Sequence, residues 1–540
     1  MLKYIEKYPI ASLVLFVVLM LGFTIDVIPV SIMEARNFIS AREMLMDDHW
    51  ILTTMNGHPR YEKPPLPTWI TAYFGLIFGI KSVLALRWPA LLFASSIGVF
   101  TYLLSKKITD HNSQSIANGF IVLTSFYVIG ITIEGTWDIY THGFMLMALY
   151  QLFILFKNRS LNSLRSLLFI IFIAASILSK GPVSLYALFL PFIISYGIVY
   201  SFKGGIVKHL KLLSLLLLGI TTGAWWYLYV RSADPETFLK IATKETSNWS
   251  SYNVRPFYYY WSFFTQSGLW TLFAFISLLY PYMKSRVSNL KAYRFSLFWT
   301  LIAVILLSLI PEKKSRYLMP VLIPLAITIG FYVEYIFRAF KTSMSKTESI
   351  AVYVQFGLVG FLAVLFPMVG FLLGNHLTGL VLVQFLIASI VIVSVGIFIF
   401  KHLKAKNIKP VFYVTMAFMM SIGLLGLPLL RMQAQSDYNP ISKLSEYSSL
   451  TLYSLDYLAP EVIYNYGNKI PSIKEEDGIA LPSENSFHLL TNIEDPNKIR
   501  RLRDIYTIEY IETYDLNFPS KDTRGYKDRL VNKLYKLTRK

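Results

Sequence analysis

The residues able to do chemistry in this 540-residue chain gather in a few short segments. SIMEARNFISAREM, residues 31–44, sets Glu34 and Arg36 directly after the first long apolar run, with Arg42 and Glu43 about two helical turns on. RYEKPPLPTW carries Arg60, Glu62 and Lys63. Residues 231–258 hold Arg231, Lys240, Lys244, Glu245 and Arg255, and PEKKSRYLMP holds Lys313, Lys314 and Arg316 beside Tyr317. Asp138 in GTWDIY and Lys180 in SKGP stand at the ends of apolar runs. Guanidinium groups bind phosphate bidentately and ammonium groups act as point charges. A carboxylate among them can take a proton from a hydroxyl. Cysteine is absent, which excludes disulfides, thiolate nucleophiles and thiolate metal sites.

The elements that position these groups are membrane helices. Only 15% of the residues are charged and 54% are hydrophobic, against about 25% charged in a typical soluble domain. Runs such as LLSLLLLGITTGAWWYLYV and GLVLVQFLIASIVIVSVGIFIF reach the roughly 20 apolar residues that a bilayer requires. Spans are expected near 8–30, 85–104, 115–132, 139–156, 165–180, 182–200, 211–230, 259–280, 295–310, 317–337, 350–373, 379–400 and 410–430. The first follows Lys3 and Lys7 and precedes no small-residue cleavage site, so it reads as a retained helix rather than a signal peptide. LPTWITAYFGLIFG, about fourteen residues behind two prolines, reads as an interfacial helix rather than a span. The expected fold is mostly α: a polytopic bundle of about thirteen helices (1–431) with amphipathic juxtamembrane helices. A small outer α/β domain (432–540) follows, read from the strand-like LTLYSL, SFHLLTNI and DIYTIEYIETY and the helix-like APEVIYNYG and DPNKIRRLRD.

Charge fixes the orientation. With the N-terminus inside, the inner loops SKKITDHNSQ, KNRSLNSLR, SFKGGIVKHLK, MKSRVSNLKAYR, RAFKTSMSK and KHLKAKNIK are all short and basic, whereas TIEGTWD and GNHLTG lack Lys and Arg. The net charge of +19 is thereby explained without nucleic acid. Counting LPTWITAYFGLIFG as a span would invert every later loop. The basic segments 31–84, 231–258 and 311–320 then face outwards, against the positive-inside tendency. Snorkelling surface charge accounts for any one of these residues, but less well for cations concentrated in so few loops. Basic groups at the outer membrane boundary suit a ligand that is both lipid and anion, and a polyprenyl phosphate is such a ligand. Pro64, Pro65 and Pro67 stop a helix from running through Lys63 and hold Glu62 and Lys63 in extended backbone.

The first outer segment resembles the protein O-mannosyltransferase superfamily of GT-C membrane glycosyltransferases, in particular its bacterial lipid A-modifying branch. That branch reads DEARYAEIAREML, DW, NG and YFEKPPLPYW, and this chain reads MEARNFISAREML, HW, NG and RYEKPPLPTW in the same order. WD at 137–138, SKGP at 179–182 and RYLMP ending at Pro320 match later features of that branch. The resemblance implies transfer of a sugar from a polyprenyl (undecaprenyl) phosphate donor to a lipid A, glycan or protein acceptor, on the outer face of the inner membrane. It places phosphate binding on Arg36 and Lys63, a divalent metal contact on Glu62, a carboxylate on Asp138 and a donor-pocket tyrosine on Tyr317. Two departures stand out. Met33 occupies the position of the aspartate usually taken as catalytic, and IATKETSNWSSYNVRPF offers no counterpart to a histidine of the lipid A enzyme. The first leaves the base open between Glu34 and Asp138, and the second leaves the metal open.

A phosphate leaving group needs no general acid but does need cations as charge builds on its oxygens. Arg36, Lys63, Arg255 and Lys180 are the candidates. A hydroxyl acceptor needs a carboxylate base, Glu34 or Asp138, whereas a phosphate acceptor does not. A single displacement inverts the anomeric centre. The competing reading is a transporter or flippase for lipid-linked sugars, which would place ionisable groups near mid-membrane rather than at helix ends. The topology makes a direct prediction. With Met1 inside and Lys540 outside, a C-terminal alkaline phosphatase fusion is active and a C-terminal green fluorescent protein fusion is dark; the reverse pattern overturns the thirteen-span order.

Overall fold

The computed structural model describes residues 2–158, 160–374, 377–432, 437–446, 451–475, 478–492 and 502–540. Contacts divide them into two compact units, each treated by itself below. The first comprises residues 1–27, 61–67 and 87–429. Ten helices among the described residues are long and apolar enough to cross a membrane, from Pro9–Val27 to Ile408–Leu430, or eleven if the bent pair Asn112–Leu123 and Phe126–Glu134 is one span. The protein is therefore a multi-pass membrane protein. Two of the thirteen expected spans fail the length test for visible reasons. Residues 182–200 become a 16-residue helix, Leu185–Tyr200, that opens with a π-helical turn. Residues 259–280 break into Phe257–Tyr260, Phe263–Trp270 and Thr271–Leu278. The break includes Gly268 at φ 62, where any Cβ would fall 2.3 Å from the Phe126 ring.

Helix Met319–Ala339 is deeply enclosed in this unit: every residue from Met319 to Ile336 is buried. Where apolar helices meet, small residues let the backbones close up, since lipid tails offer no hydrophobic gain over leucine. Helix Ile206–Ala233 packs on Ser163–Lys180 in this way, and a Cβ on Gly223 would lie 2.6 Å from the Ala174 carbonyl oxygen. Hydroxyls close polar gaps: Thr24 donates to the Gly423 carbonyl (2.9 Å), and Thr141 and Ser176 exchange bonds between helices Trp137–Lys157 and Ser163–Lys180. Fully buried Arg87 donates to the Ile25 carbonyl near the end of the first span.

The second unit comprises residues 28–60, 68–86 and 430–540. Its sheet runs Leu452–Ser454, Ser486–Thr491, Val531–Arg539, Tyr506–Asp515; the first pair is parallel and the other two antiparallel. Helix Pro460–Tyr466 covers it. The expected strands and the expected APEVIYNYG helix are present, while most of DPNKIRRLRD lies outside the described residues. Residues 28–60 and 68–86 join 430–540 in this unit, and helix Ile32–Asp47 sends Ile39 into the core with Ile441, Val462, Ile463, Leu490 and Leu534. Asn56 binds both backbone groups of Ile470 at 2.8 Å, replacing a strand partner with a side-chain amide. Leu66–Phe78 is a 13-residue helix, about 20 Å long and short of the ~30 Å hydrocarbon core. The interhelical contact at Gly223 predicts that Gly223→Leu lowers stability by about 1–3 kcal/mol through overpacking, read as earlier thermal unfolding in detergent. Gly357→Leu, where a Cβ meets nothing within 4 Å, leaves the transition in place.

Candidate functional site

The first unit gathers most of the sequence-identified residues at neighbouring helix ends. Asp138 lies in the first turn of Trp137–Lys157 and Lys180 in the last turn of Ser163–Lys180. An acid at a helix N-terminus and a base at a C-terminus each complement the backbone dipole. Their side chains meet at 2.5 Å (Lys180 Nζ to Asp138 Oδ1) and both are almost fully buried. Gly181, at φ 72, lets the chain leave the helix directly behind Lys180, and the Tyr227 hydroxyl fills the place a Cβ would take. One turn below Asp138, buried His142 brings Nε2 to 4.0 Å from the same carboxylate oxygen. Its Nδ1 has no hydrogen-bond partner among the described residues.

Cations converge on this pair. Lys63 and Arg316 lie within electrostatic range of Lys180, and Arg316 within range of Asp138. The Lys180 ammonium sits 5.0 Å from the centre of the Tyr317 ring, and the Lys314 ammonium lies 5.6 Å from the same ring. Cations over an aromatic face gain a favourable quadrupole contact. Lys314 also pairs with Glu312 at 2.6 Å. Lys63 pairs with Glu245 at 3.3 Å. That pair is a quarter to two-fifths exposed, so it is worth about 1 kcal/mol or less and can yield to a stronger anion.

Two irregular segments hold these groups without regular structure. Val254 and Glu312 form an antiparallel bridge, the Arg255 N–H donates to the Pro311 carbonyl (3.2 Å), and the Lys313 N–H donates to the Asn253 carbonyl (3.1 Å). Lys313 is itself buried. Its ammonium caps the Ile310 and Arg255 carbonyls at 2.5 and 3.1 Å, and desolvation lowers its pKa. The Tyr260 hydroxyl accepts from the Lys314 N–H and donates to the Lys314 carbonyl, both at 3.0 Å. Beside this double segment opens a cleft of about 710 Å³, lined among others by Tyr127, Glu134, Arg255, Lys313, Lys314 and Arg316. Four cations against one carboxylate make it an anion-binding environment. Next to Lys63, Tyr61 donates to Asp234 (3.1 Å); burial first, then that bond, pushes its phenol up to about 12, so it stays a donor.

Of the sequence-derived candidates, the first unit thus brings together Lys63, Asp138, Lys180 and Tyr317, with Arg255 in the adjoining cleft. Glu62, also in this unit, is exposed. It is not part of the group of three potential ligand side chains found among the described residues, which is Glu43, Asp47 and His49. Glu34 and Arg36 belong to the second unit. Glu34 is buried and completes a capping box: its carboxylate accepts the Ser31 N–H at 2.9 Å while the Ser31 hydroxyl accepts the Glu34 N–H. That gives Glu34 a structural task whatever else it does. Arg36 is half-buried, two residues on, and i,i+2 positions diverge around a helix. His142 was missed from sequence, although a histidine four residues after an aspartate in an apolar helix is a signal in itself.

Residues 62–226 match the dolichyl-phosphate-mannose-protein mannosyltransferase family model. An uncharacterised protein of Aquifex aeolicus is 26% identical over 58% of this chain and 60% of its own length. The undecaprenyl phosphate-alpha-4-amino-4-deoxy-L-arabinose arabinosyl transferase 1 of Proteus mirabilis is 22% identical over 62% of this chain and 61% of its own. The matches thus span about 60% of the length of these curated relatives. The crystal structure of ArnT from Cupriavidus metallidurans bound to undecaprenyl phosphate superposes with a TM-score of 0.69 at 13% identity, covering 98% of this chain and 97% of that one. Its apo state gives 0.67 at 14% identity, covering 99% and 98%. The fold is therefore that of ArnT, and the chain is similar in sequence to the arabinosyl transferase.

The buried pair predicts a specific pattern of stability. Asp138→Ala leaves Lys180 buried without a counter-charge and destabilises by about 3–5 kcal/mol. Asp138→Ala combined with Lys180→Met recovers a large part of that loss. Thermal unfolding of purified protein checks it; a double variant no more stable than Asp138→Ala would remove the coupling.

Proposed function

We propose that this protein is an integral-membrane glycosyltransferase that moves a sugar from undecaprenyl phosphate to a lipid A, glycan or protein acceptor. The reaction takes place on the outer face of the inner membrane, with the N-terminus cytoplasmic and residues 432–540 periplasmic. The observation that carries the reading is the convergence of Lys63, Lys180, Arg316 and Tyr317 around Asp138, beside a cationic cleft. Weighing for the same reading are the fold shared with a structure that holds undecaprenyl phosphate and the sequence likeness to an arabinosyl transferase.

In this mechanism the donor phosphate displaces Glu245 from Lys63 and is held by Lys63 and Arg255, with Tyr317 and Lys180 alongside. Charge grows on the phosphate oxygens as the sugar–oxygen bond breaks, and fixed cations in a dehydrated site stabilise that charge without reorganising. Lys180 orients the Asp138 carboxylate. Asp138 then takes the acceptor's proton if the acceptor is a hydroxyl, and the acceptor oxygen attacks the anomeric carbon opposite the departing phosphate, which inverts the centre. Glu34, from the sequence motif, is the alternative base, and Arg36 an additional phosphate ligand.

Transfer from a synthetic undecaprenyl-phosphate sugar tests the clamp. Lys63→Ala and Arg255→Ala each remove a charge-assisted contact worth about 1.5–3 kcal/mol, so kcat/KM falls about 10- to 100-fold. Normal turnover in both removes it. The base is read from Asp138→Asn and Glu34→Gln, scored per folded protein. The true base loses about 10²–10⁴ in turnover, and Glu34→Gln keeps an oxygen for the Ser31 N–H. Turnover retained in both variants would identify a phosphate acceptor. Purified protein in detergent with that synthetic donor separates transferase from flippase: a transferase forms the glycosylated acceptor, and a flippase forms none.

A further inference from the structure

Within the second unit, three potential metal ligands stand together away from Glu62. Helix Ile32–Asp47 places Glu43 and Asp47 four residues apart and therefore on one face. Asp48, in the left-handed region at φ 61, turns the chain so that His49 comes back to that face. One ligand atom from each of Glu43, Asp47 and His49 lies within 4.8 Å of the other two.

The hydrogen bonds prepare these atoms for a cation. Glu43 is 1% exposed, and its carboxylate accepts the Thr54 hydroxyl (2.6 Å) and the N–H groups of Asn56 (2.6 Å) and Gly57 (3.2 Å). These bonds fix its orientation. Thr54 has a single hydroxyl hydrogen, which that carboxylate takes, so its oxygen is left to accept from His49 Nδ1 at 2.9 Å. The ring proton therefore sits on Nδ1 and the lone pair on Nε2. Metal-binding histidines are oriented by donation from their other nitrogen in this way. Asp47 Oδ1 is held by Lys469 at 2.8 Å, but Asp47 Oδ2 is shut off from solvent with no hydrogen-bond partner. A carboxylate oxygen without solvent or a donor is costly beside a second carboxylate. Lys469 pairs with Asp47, and Arg42 lies within electrostatic range of both carboxylates.

We propose that Glu43, Asp47 and His49 form a divalent-cation site for an ion of the zinc class, independent of the glycosyl-transfer chemistry. One imidazole nitrogen and two carboxylates suit such borderline ions, and water completes the shell. Ligand atoms around tetrahedral zinc stand about 3.4 Å apart, so small side-chain rotations close the site. The ion ties the end of helix Ile32–Asp47 to the hairpin 54–59 that Glu43 already holds.

Purified full-length protein, stripped with chelator and dialysed against Zn²⁺, tests this by metal analysis. One equivalent is retained by the wild type and by Glu62→Gln, and affinity falls at least tenfold in His49→Ala and in Asp47→Asn. Co²⁺ loading adds a visible absorption band that His49→Ala abolishes and Glu62→Gln keeps. Asp47→Asn preserves size and shape, so its loss of binding in a protein with unchanged circular dichroism reads ligation rather than misfolding. No bound ion in the wild type, wild-type affinity in both His49→Ala and Asp47→Asn, or loss confined to Glu62→Gln would each overturn the site.

Discussion

Inside a bilayer every backbone polar group must find a partner within the protein, and that constraint arranges the rest of the first unit. Regular helices satisfy it, so most of the apolar chain is helical, and the charged segments lie at helix ends. The segments carrying Lys63, Arg255 and Lys313 to Arg316 are irregular stretches. Each compensates for its missing helical bonds explicitly: three prolines around Lys63, a strand-like bridge between Val254 and Glu312, and carbonyl caps from the Lys313 ammonium. The candidate residues sit where the helices stop.

Several cations placed so closely would repel one another unless anions were interleaved. Asp138 with Lys180, Glu245 with Lys63 and Glu312 with Lys314 provide that interleaving, and the pairs differ in depth. The Asp138–Lys180 pair is buried and fixed at two helix termini, so it persists as a reference point. The Lys63–Glu245 pair is open to solvent and weak, so Lys63 can change partners. An anion-binding site built this way is held together in its empty state by internal carboxylates and exchanges only the shallow ones for a ligand. This division of labour is the physical basis of the proposed donor clamp.

The second unit shows a different use of acidic residues. Glu34 caps the start of helix Ile32–Asp47 and Glu43 fastens the 54–57 turn, so two carboxylates of the most motif-like segment carry structural bonds. Ile39 on the same helix enters the core formed with Ile441, Val462 and Leu534, which makes the segment part of that core as well as a carrier of charge.

Sequence by itself determined the membrane character, the approximate helix positions, the strands of the C-terminal segment and the charged loops worth attention. These follow from local composition and periodicity: a run of twenty apolar residues or an alternating strand is legible without its neighbours. The EKPP motif and the helix-end positions of Asp138 and Lys180 were legible for the same reason. Only tertiary structure decided that Lys180 and Asp138 form one buried pair, that the 253–255 and 311–313 segments zip together, and that His142 faces Asp138. It also decided that residues 28–60 pack with 430–540, and that 182–200 and 259–280 are short or broken helices. Contacts between residues tens or hundreds of positions apart are set by which surfaces the chain can close together. A side chain that fills the space above a glycine, as Phe126 does at Gly268, is invisible until the fold brings it there.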